Sequence, residues 1–244
     1  MAGPSESYVD LRPFVFNGKF LTFDSPKLLV DKYKSLGGAQ GKLETNSEFR
    51  QRMAGLGLYA VMSELKDYNI EFDKENGSLG FRMRLDDAQG FGFRENGQLI
   101  QDFKKSFYSA ALPDIETKKG EFVGQNSYGA KTVVQEFEID RVYLVGPGIP
   151  KSGGSMSVDL VAKLNMSSAE FQKQRPDLRI AIIVEPIPNY LQVDKSFGSA
   201  TMNHAKESTI SNYFVSAKFA AVSVVNVRSK SVVSDQVRVR FKNL

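Results

Sequence analysis

The chain has no cysteine and one histidine, His204, in 244 residues. Without thiols there are no disulfides, no thiolate nucleophile and no zinc–thiolate site. A single histidine cannot build a multi-histidine metal centre. No long apolar run is present. The most apolar short stretch, Ile180–Val184, is far below the roughly 20 residues of a membrane helix, so no transmembrane segment is expected. The first residues, Met1-Ala2-Gly3-Pro4-Ser5-Glu6, are polar and lack the basic and apolar regions of an export leader. This start fits a native terminus and equally one left after a leader was removed.

Two catalytic motifs are also missing. There is no Gly-x-Ser-x-Gly elbow to present a serine nucleophile. Lys151-Ser152 follows a glycine-rich segment as in a phosphate-binding loop, but Pro150 stands where that loop needs glycine. Proline also removes an amide donor. The stretch Gly146–Gly154 therefore reads as a turn or mobile connector, and no cofactor is expected.

What is present is ordinary for a globular protein: 41% hydrophobic and 25% charged residues, with a net charge of +4. The length suits one large domain, or two halves at 1–112 and 121–244 split by the charged stretch Pro113–Gly120. The modest positive charge suits an anionic partner or simply a solvated surface.

The stretch Glu121–Val145 organises the reading. Phe137, Ile139, Tyr143 and Val145 alternate with Glu136, Glu138 and Asp140, the period of a strand buried on one side. Around it, three Asn-Gly pairs suggest tight hairpins: Asn17-Gly18 between Phe14–Phe16 and Phe20–Phe23, Asn76-Gly77 between Asn69–Asp73 and Leu79–Leu85, and Asn96-Gly97 between Phe91–Phe93 and Gln98–Phe103. A long closing hairpin is expected from Tyr213–Val227 and Val232–Phe241. Met156–Ala162 reads as a strand, and Leu178–Glu185 as a buried strand ended by Pro186 and Pro188.

Helices are marked by their caps. Ser25, Pro26 and Gly37 bracket one, with Leu28, Leu29, Tyr33 and Leu36 as its apolar stripe. Thr45 and Glu48 form a capping-box pattern ahead of Phe49, Met53 and Leu56. Ser167 and Glu170 repeat that pattern before a helix stopped by Pro176. The expected class is α+β: a mainly antiparallel sheet built from hairpins, with two or three short helices packed on it.

Four groups are candidates for chemistry. Gln125, Asn126 and Tyr128 sit between glycines, where amides and a phenol can orient a ligand or satisfy backbone at a bend. Arg238, Arg240 and Lys242 share one strand face, opposite Val237, Val239 and Phe241. Such a row suits anions, yet it lacks the interleaved aromatics of a nucleic-acid platform, so nucleic acid is not an expected partner. Glu136, Glu138 and Asp140 form an acidic row. Paired carboxylates can act as general acid and base, or can face the basic row on one sheet face. His204 could join a serine and an acid in a hydrolase, if the fold assembles such a triad.

Two strings resemble segments of uncharacterised exported bacterial proteins. Leu43-Glu44-Thr45-Asn46-Ser47-Glu48-Phe49-Arg50-Gln51-Arg52 resembles their E-T-x-x-E-F-x-x-R helix start. Phe122-Val123-Gly124-Gln125-Asn126-Ser127-Tyr128-Gly129-Ala130 resembles their Y-x-G-Q-N-x-F-G segment, with Phe122 and Tyr128 exchanging aromatic types. The resemblance implies a bacterial envelope protein, periplasmic or envelope-associated if a leader was removed and cytoplasmic otherwise, and assigns no functional residue. The expected function is a non-enzymatic binding or interaction module of the envelope, its partner another envelope protein or an anionic surface. The alternatives are a serine-type hydrolase using His204 and a structural subunit that assembles through a sheet edge.

Overall fold

A computed structural model describes residues 21–88, 92–95, 98–102, 107–125, 128–149, 157–201, 204–234 and 236–241. Three short helices accompany a strand-rich chain. Helix α1 spans Pro26–Ser35, α2 spans Asn46–Met53 and α3 spans Ser168–Gln174. The strands are β1 (Leu21–Phe23), β2 (Tyr59–Glu64), β3 (Ile70–Asp73), β4 (Ser78–Asp87), β5 (Gly92–Glu95), β6 (Gln98–Asp102) and β7 (Tyr108–Ala111). They continue with β8 (Ile115–Gln125), β9 (Lys131–Gly146), β10 (Ser157–Leu164), β11 (Leu178–Gly198), β12 (Lys206–Asn226), β13 (Ser231–Ser234) and β14 (Arg238–Phe241).

All but β5 and β6 join one 12-stranded sheet in the order β1-β2-β11-β12-β9-β7-β4-β10-β14. Strands β13, β3 and β8 pair off that path with β12, β4 and β9. The α+β class holds, but the sheet is mixed rather than built mainly from antiparallel hairpins. Strand β1 runs parallel to β2, and β12 runs parallel to β9 over eleven consecutive register pairs, from Lys206 beside Gln135 to Ser216 beside Val145. Parallel neighbours need crossover connections, which leave no tight-turn signature in the sequence.

Hairpins form in part. The β3–β4 pair closes with Gly77 at φ 68°, and β5 pairs with β6. The first expected hairpin lies mostly outside the described residues; its last three residues form β1 and pair with β2. The closing hairpin is corrected. Strand β13 turns back on β12, but β14 crosses to pair with β10. Two further readings change. Strand β11 runs through Pro186 instead of ending there, absorbing it in a register shift before Leu191. The stretch expected as a charged loop from Pro113 is strand β8 from Ile115.

The sheet curves. Strand β13, bonded to β12, also approaches β10, although four pairings separate β12 from β10 along the sheet. Its inner face carries one continuous core. Val61, Ile182, Val215, Leu144, Phe81, Leu160 and Val239 represent strands from β2 to β14. The helices add Leu29, Val30, Tyr33, Phe49, Met53 and Phe171 to it. On α1, Leu28 is exposed and Val30 takes the buried place expected for it.

Strand β9 corrects the one-sided reading. Even-numbered Val142 and Leu144 face the main core, while Tyr143 and Val145 pack outside with Ala88, Phe107 and Phe214. The strand is thus buried on both faces at its C-terminal end. There Gly146 and Gly148 press on the neighbouring backbone. A Cβ at Gly146 would lie 1.9 Å from the Ala217 carbonyl oxygen, and one at Gly148 (φ 110°) 2.3 Å from that of Phe219. Phe219 also donates its backbone N–H to Pro147 at 2.8 Å. The described part of the expected connector, up to residue 149, is therefore packed in place, and Ile149 is buried.

Candidate functional site

Beyond the core, four strands continue as an arm. Strand β9 gives up β7 as its neighbour and takes β8, with Ile115 opposite Asp140 and Gln125 opposite Lys131. Strands β11 and β12 run alongside, from Leu191 beside Val215 to Gly198 beside Ser208. The arm order is β11-β12-β9-β8. Most of its distal side chains are exposed on both faces. Val123 (65% exposed) and Val133 stand opposite each other on one face. Phe122 lies on the other face, which the register shares with Phe197 (60% exposed). Tyr128 is exposed at the tip.

The arm gathers several residues that the sequence singles out. Gln125 ends β8, Tyr128 lies in the following turn, and both are exposed. Asn126 lies outside the described residues. Gly129 adopts φ 83°, the conformation a tight reversal requires. His204 lies in the β11–β12 turn at the same end of the arm. It is exposed and exchanges backbone hydrogen bonds with Thr201 at 2.9 and 3.1 Å. Gln135 ties this turn to β9 by donating to the Ala205 carbonyl at 3.0 Å.

The acidic and basic rows do not meet. Strands β7, β4 and β10 separate β9 from β14. The even-numbered residues of β9 face the concave side, whereas Arg238 and Arg240 lie opposite the buried Val237 and Val239. The rows therefore occupy opposing faces of the curved sheet. Lys34 reaches Asp140 at 3.5 Å and Lys119 reaches Glu138 at 2.9 Å. Arg240 bonds Glu71 at 2.9 Å and the buried Asp159 at 3.1 Å. Its guanidinium pKa is raised, chiefly by the hydrogen bond to Glu71. Arg238 is exposed, and Lys242 lies outside the described residues.

The Glu44–Arg52 string is a clamp. Thr45 and Glu48 complete a capping box, with Thr45 N–H donating to Glu48 at 2.8 Å. Arg52 grips Glu44 through Nε at 2.8 Å and Nη2 at 2.7 Å, and donates to the carbonyls of Leu36 and Gly38. The guanidinium also lies 4.8 Å from the centre of the Phe49 ring. The Arg52 hydrogen bonds, with the Gly41 amide, hold the Glu44 carboxyl down at about 2. Thr45 and Glu48 thus start α2, while Arg52, held by Glu44, ties it to the end of α1.

Sequence reasoning missed a cleft beside β4. Strand β4 pairs with β3 up to Phe81 and with β7 from Asp86, and between these β4 and β7 splay apart. The cleft left there holds about 510 Å³ and is lined by Ser63, Asn69, Arg82, Met83, Asp114 and Ile180 among others. Its charges are matched: Arg82 faces Glu71 at 3.5 Å and Asp114 accepts from Arg141 at 3.1 Å. Asn69 donates to the Arg82 carbonyl at 3.0 Å across the break in pairing. A cleft made by a change of strand partner has no local pattern that a sequence could show.

Among the described residues no cluster of three or more His, Asp or Glu side chains is placed to hold a metal ion. Comparison of the chain with protein-family models, with curated proteins and with solved structures finds no match.

Proposed function

We propose that the chain is a non-enzymatic binding module whose contact element is the arm of β8, β9, β11 and β12. The observation that carries this reading is the exposure of Val123 and Val133 on one face, and of Phe122 and Phe197 on the other, of a regular sheet extension. Apolar side chains held on an ordered, open sheet are suited to burial by a protein partner. Placement in the bacterial envelope rests on the resemblance of the Glu44–Arg52 and Phe122–Gly129 strings to exported proteins.

A photo-crosslinking amino acid at Val123 or Phe197 tests the reading in cells. The control position is Leu43, which is 99% exposed in the α1–α2 connection. Discrete adducts from the arm positions and none from Leu43 are expected. Equal labelling at all three positions, or none from the arm, would overturn the reading.

A further inference from the structure

Among the described residues, β9 is the one strand paired with β8, and no described strand covers the opposite edge along its 11 residues. Proteins commonly blunt such edges with lysines and bulges. Strand β8 has both, Lys118, Lys119 and a register shift between Lys118 and Gly120. Here, however, the charges read acid, base, base, acid: Glu116, Lys118, Lys119, Glu121. That pattern reads the same in both directions, so an antiparallel copy meets like charges in one register and opposite charges in another.

The bulge then selects a register. From the pairing with β9, residues 116 and 118 share one face with 121, 123 and 125. Residues 115 and 117 share the other face with 120, 122 and 124. Of the antiparallel registers that carry both copies of β8 across the bulge, two keep like faces together throughout. A two-fold axis between Lys118 and Lys119 sets Glu116 against Glu121 twice, which is repulsive. An axis between Lys119 and Gly120 sets Lys118 against Glu121 twice and Thr117 against Phe122 twice. Opposite charges directly across neighbouring strands stabilise the pairing, and like charges there oppose it.

We propose that β8 is an assembly edge at which a second copy of this chain pairs antiparallel, Lys118 of each copy facing Glu121 of the other. The inference rests on the arm as contact element and names its partner. The result is one continuous sheet through both arms, with an isologous two-fold interface. Within one copy, Lys118 and Glu121 bond each other at 3.0 Å and both are about half exposed, so either can turn to the partner.

A charge exchange tests this. Lys118→Glu and Glu121→Lys are each made alone, and circular dichroism checks that each folds. The wild-type chain is expected to have twice its 27.1 kDa mass by light scattering at micromolar concentration and low salt. Each variant alone sets like charges across the axis twice, and its dimer dissociation constant should rise at least about tenfold. An equimolar mixture restores both pairs, since each carboxylate of the first variant then faces an ammonium group of the second, and it should regain the doubled mass. A monomeric wild type, variants that dimerise unaided, or a mixture that stays monomeric would each overturn the proposal. A monomeric chain whose arm still crosslinks a different protein would overturn self-pairing while leaving the arm as contact element.

Discussion

Replacing Arg240 with alanine tests the outer-face charge cluster most directly. Arg240 donates through Nη2 to Glu71 at 2.9 Å and to Asp159 at 3.1 Å. Glu71 is partly exposed, and solvent screens that half of the arrangement. Asp159 is wholly buried, at 0% exposure, so its carboxylate depends on the guanidinium that covers it. Removing one member of a buried pair costs about 3–5 kcal/mol. With a quarter of Arg240 still in water, the lower end, about 3 kcal/mol, is the expected loss in urea denaturation. At roughly 2–4 °C per kcal/mol for a chain of this size, the Tm should fall by about 6–12 °C. Asp159→Asn in the Arg240→Ala background should recover much of that loss, because it removes the buried charge itself. An Arg240→Ala protein within about 0.5 kcal/mol of wild type would refute the reasoning. That result, joined with lost binding to a polyanion, would instead restore Arg240 as an anion-binding residue.

Two further outcomes follow from local geometry. Glu44 is held at about 2 by Arg52 and the Gly41 amide, below its ordinary value of 4.5. Its stabilisation is full above the unfolded value and is lost as pH falls through about 2. The gap in urea midpoint between wild type and Glu44→Gln should therefore be wide at neutral pH and close on acidification; a gap constant with pH would show that the clamp does not depend on the carboxylate charge. Gly146→Ala would drive a methyl group into the Ala217 carbonyl and should cost at least about 3 kcal/mol. Gly55→Ala meets nothing within 4 Å at an ordinary φ and should gain about 0.4–1 kcal/mol, so equal effects from the two in thermal melts would contradict the close strand packing.

Features governed by neighbours within four residues are legible in the sequence. Ser25, Thr45 and Ser167 each cap the helix they precede, because a cap is a side chain bonded to an amide three residues on. The β3–β4 hairpin is legible for the same reason. Partners distant in the chain are not. The period of β14 is visible, with Val237 and Val239 inward, but nothing local selects β10 over β12 as its neighbour. Pro186 resembles a strand end because proline removes a ladder donor, and the fold accommodates it by shifting register. In β9 the alternation is visible while its sense is not, since apolar residues on both faces serve two separate clusters. Of the candidate site, Gln125, Tyr128 and His204 stand out one by one; their common position in the arm depends on the β9–β12 register.

The parallel pair β9 and β12 has a consequence for the thermodynamics of contact. Its register runs without a break from the distal arm into residues of the buried core. A binding element on a loop must be immobilised when it meets its partner, and that ordering subtracts from affinity. Here the two central strands of the arm are extensions of strands already fixed by the core, so folding has met most of that entropic cost in advance. The arm has no joint between it and the body across this pair. A load applied at its end is therefore carried along two strands into the core, as in a cantilever set in a wall, and weakening that core should loosen the distal contact surface without altering any residue in it.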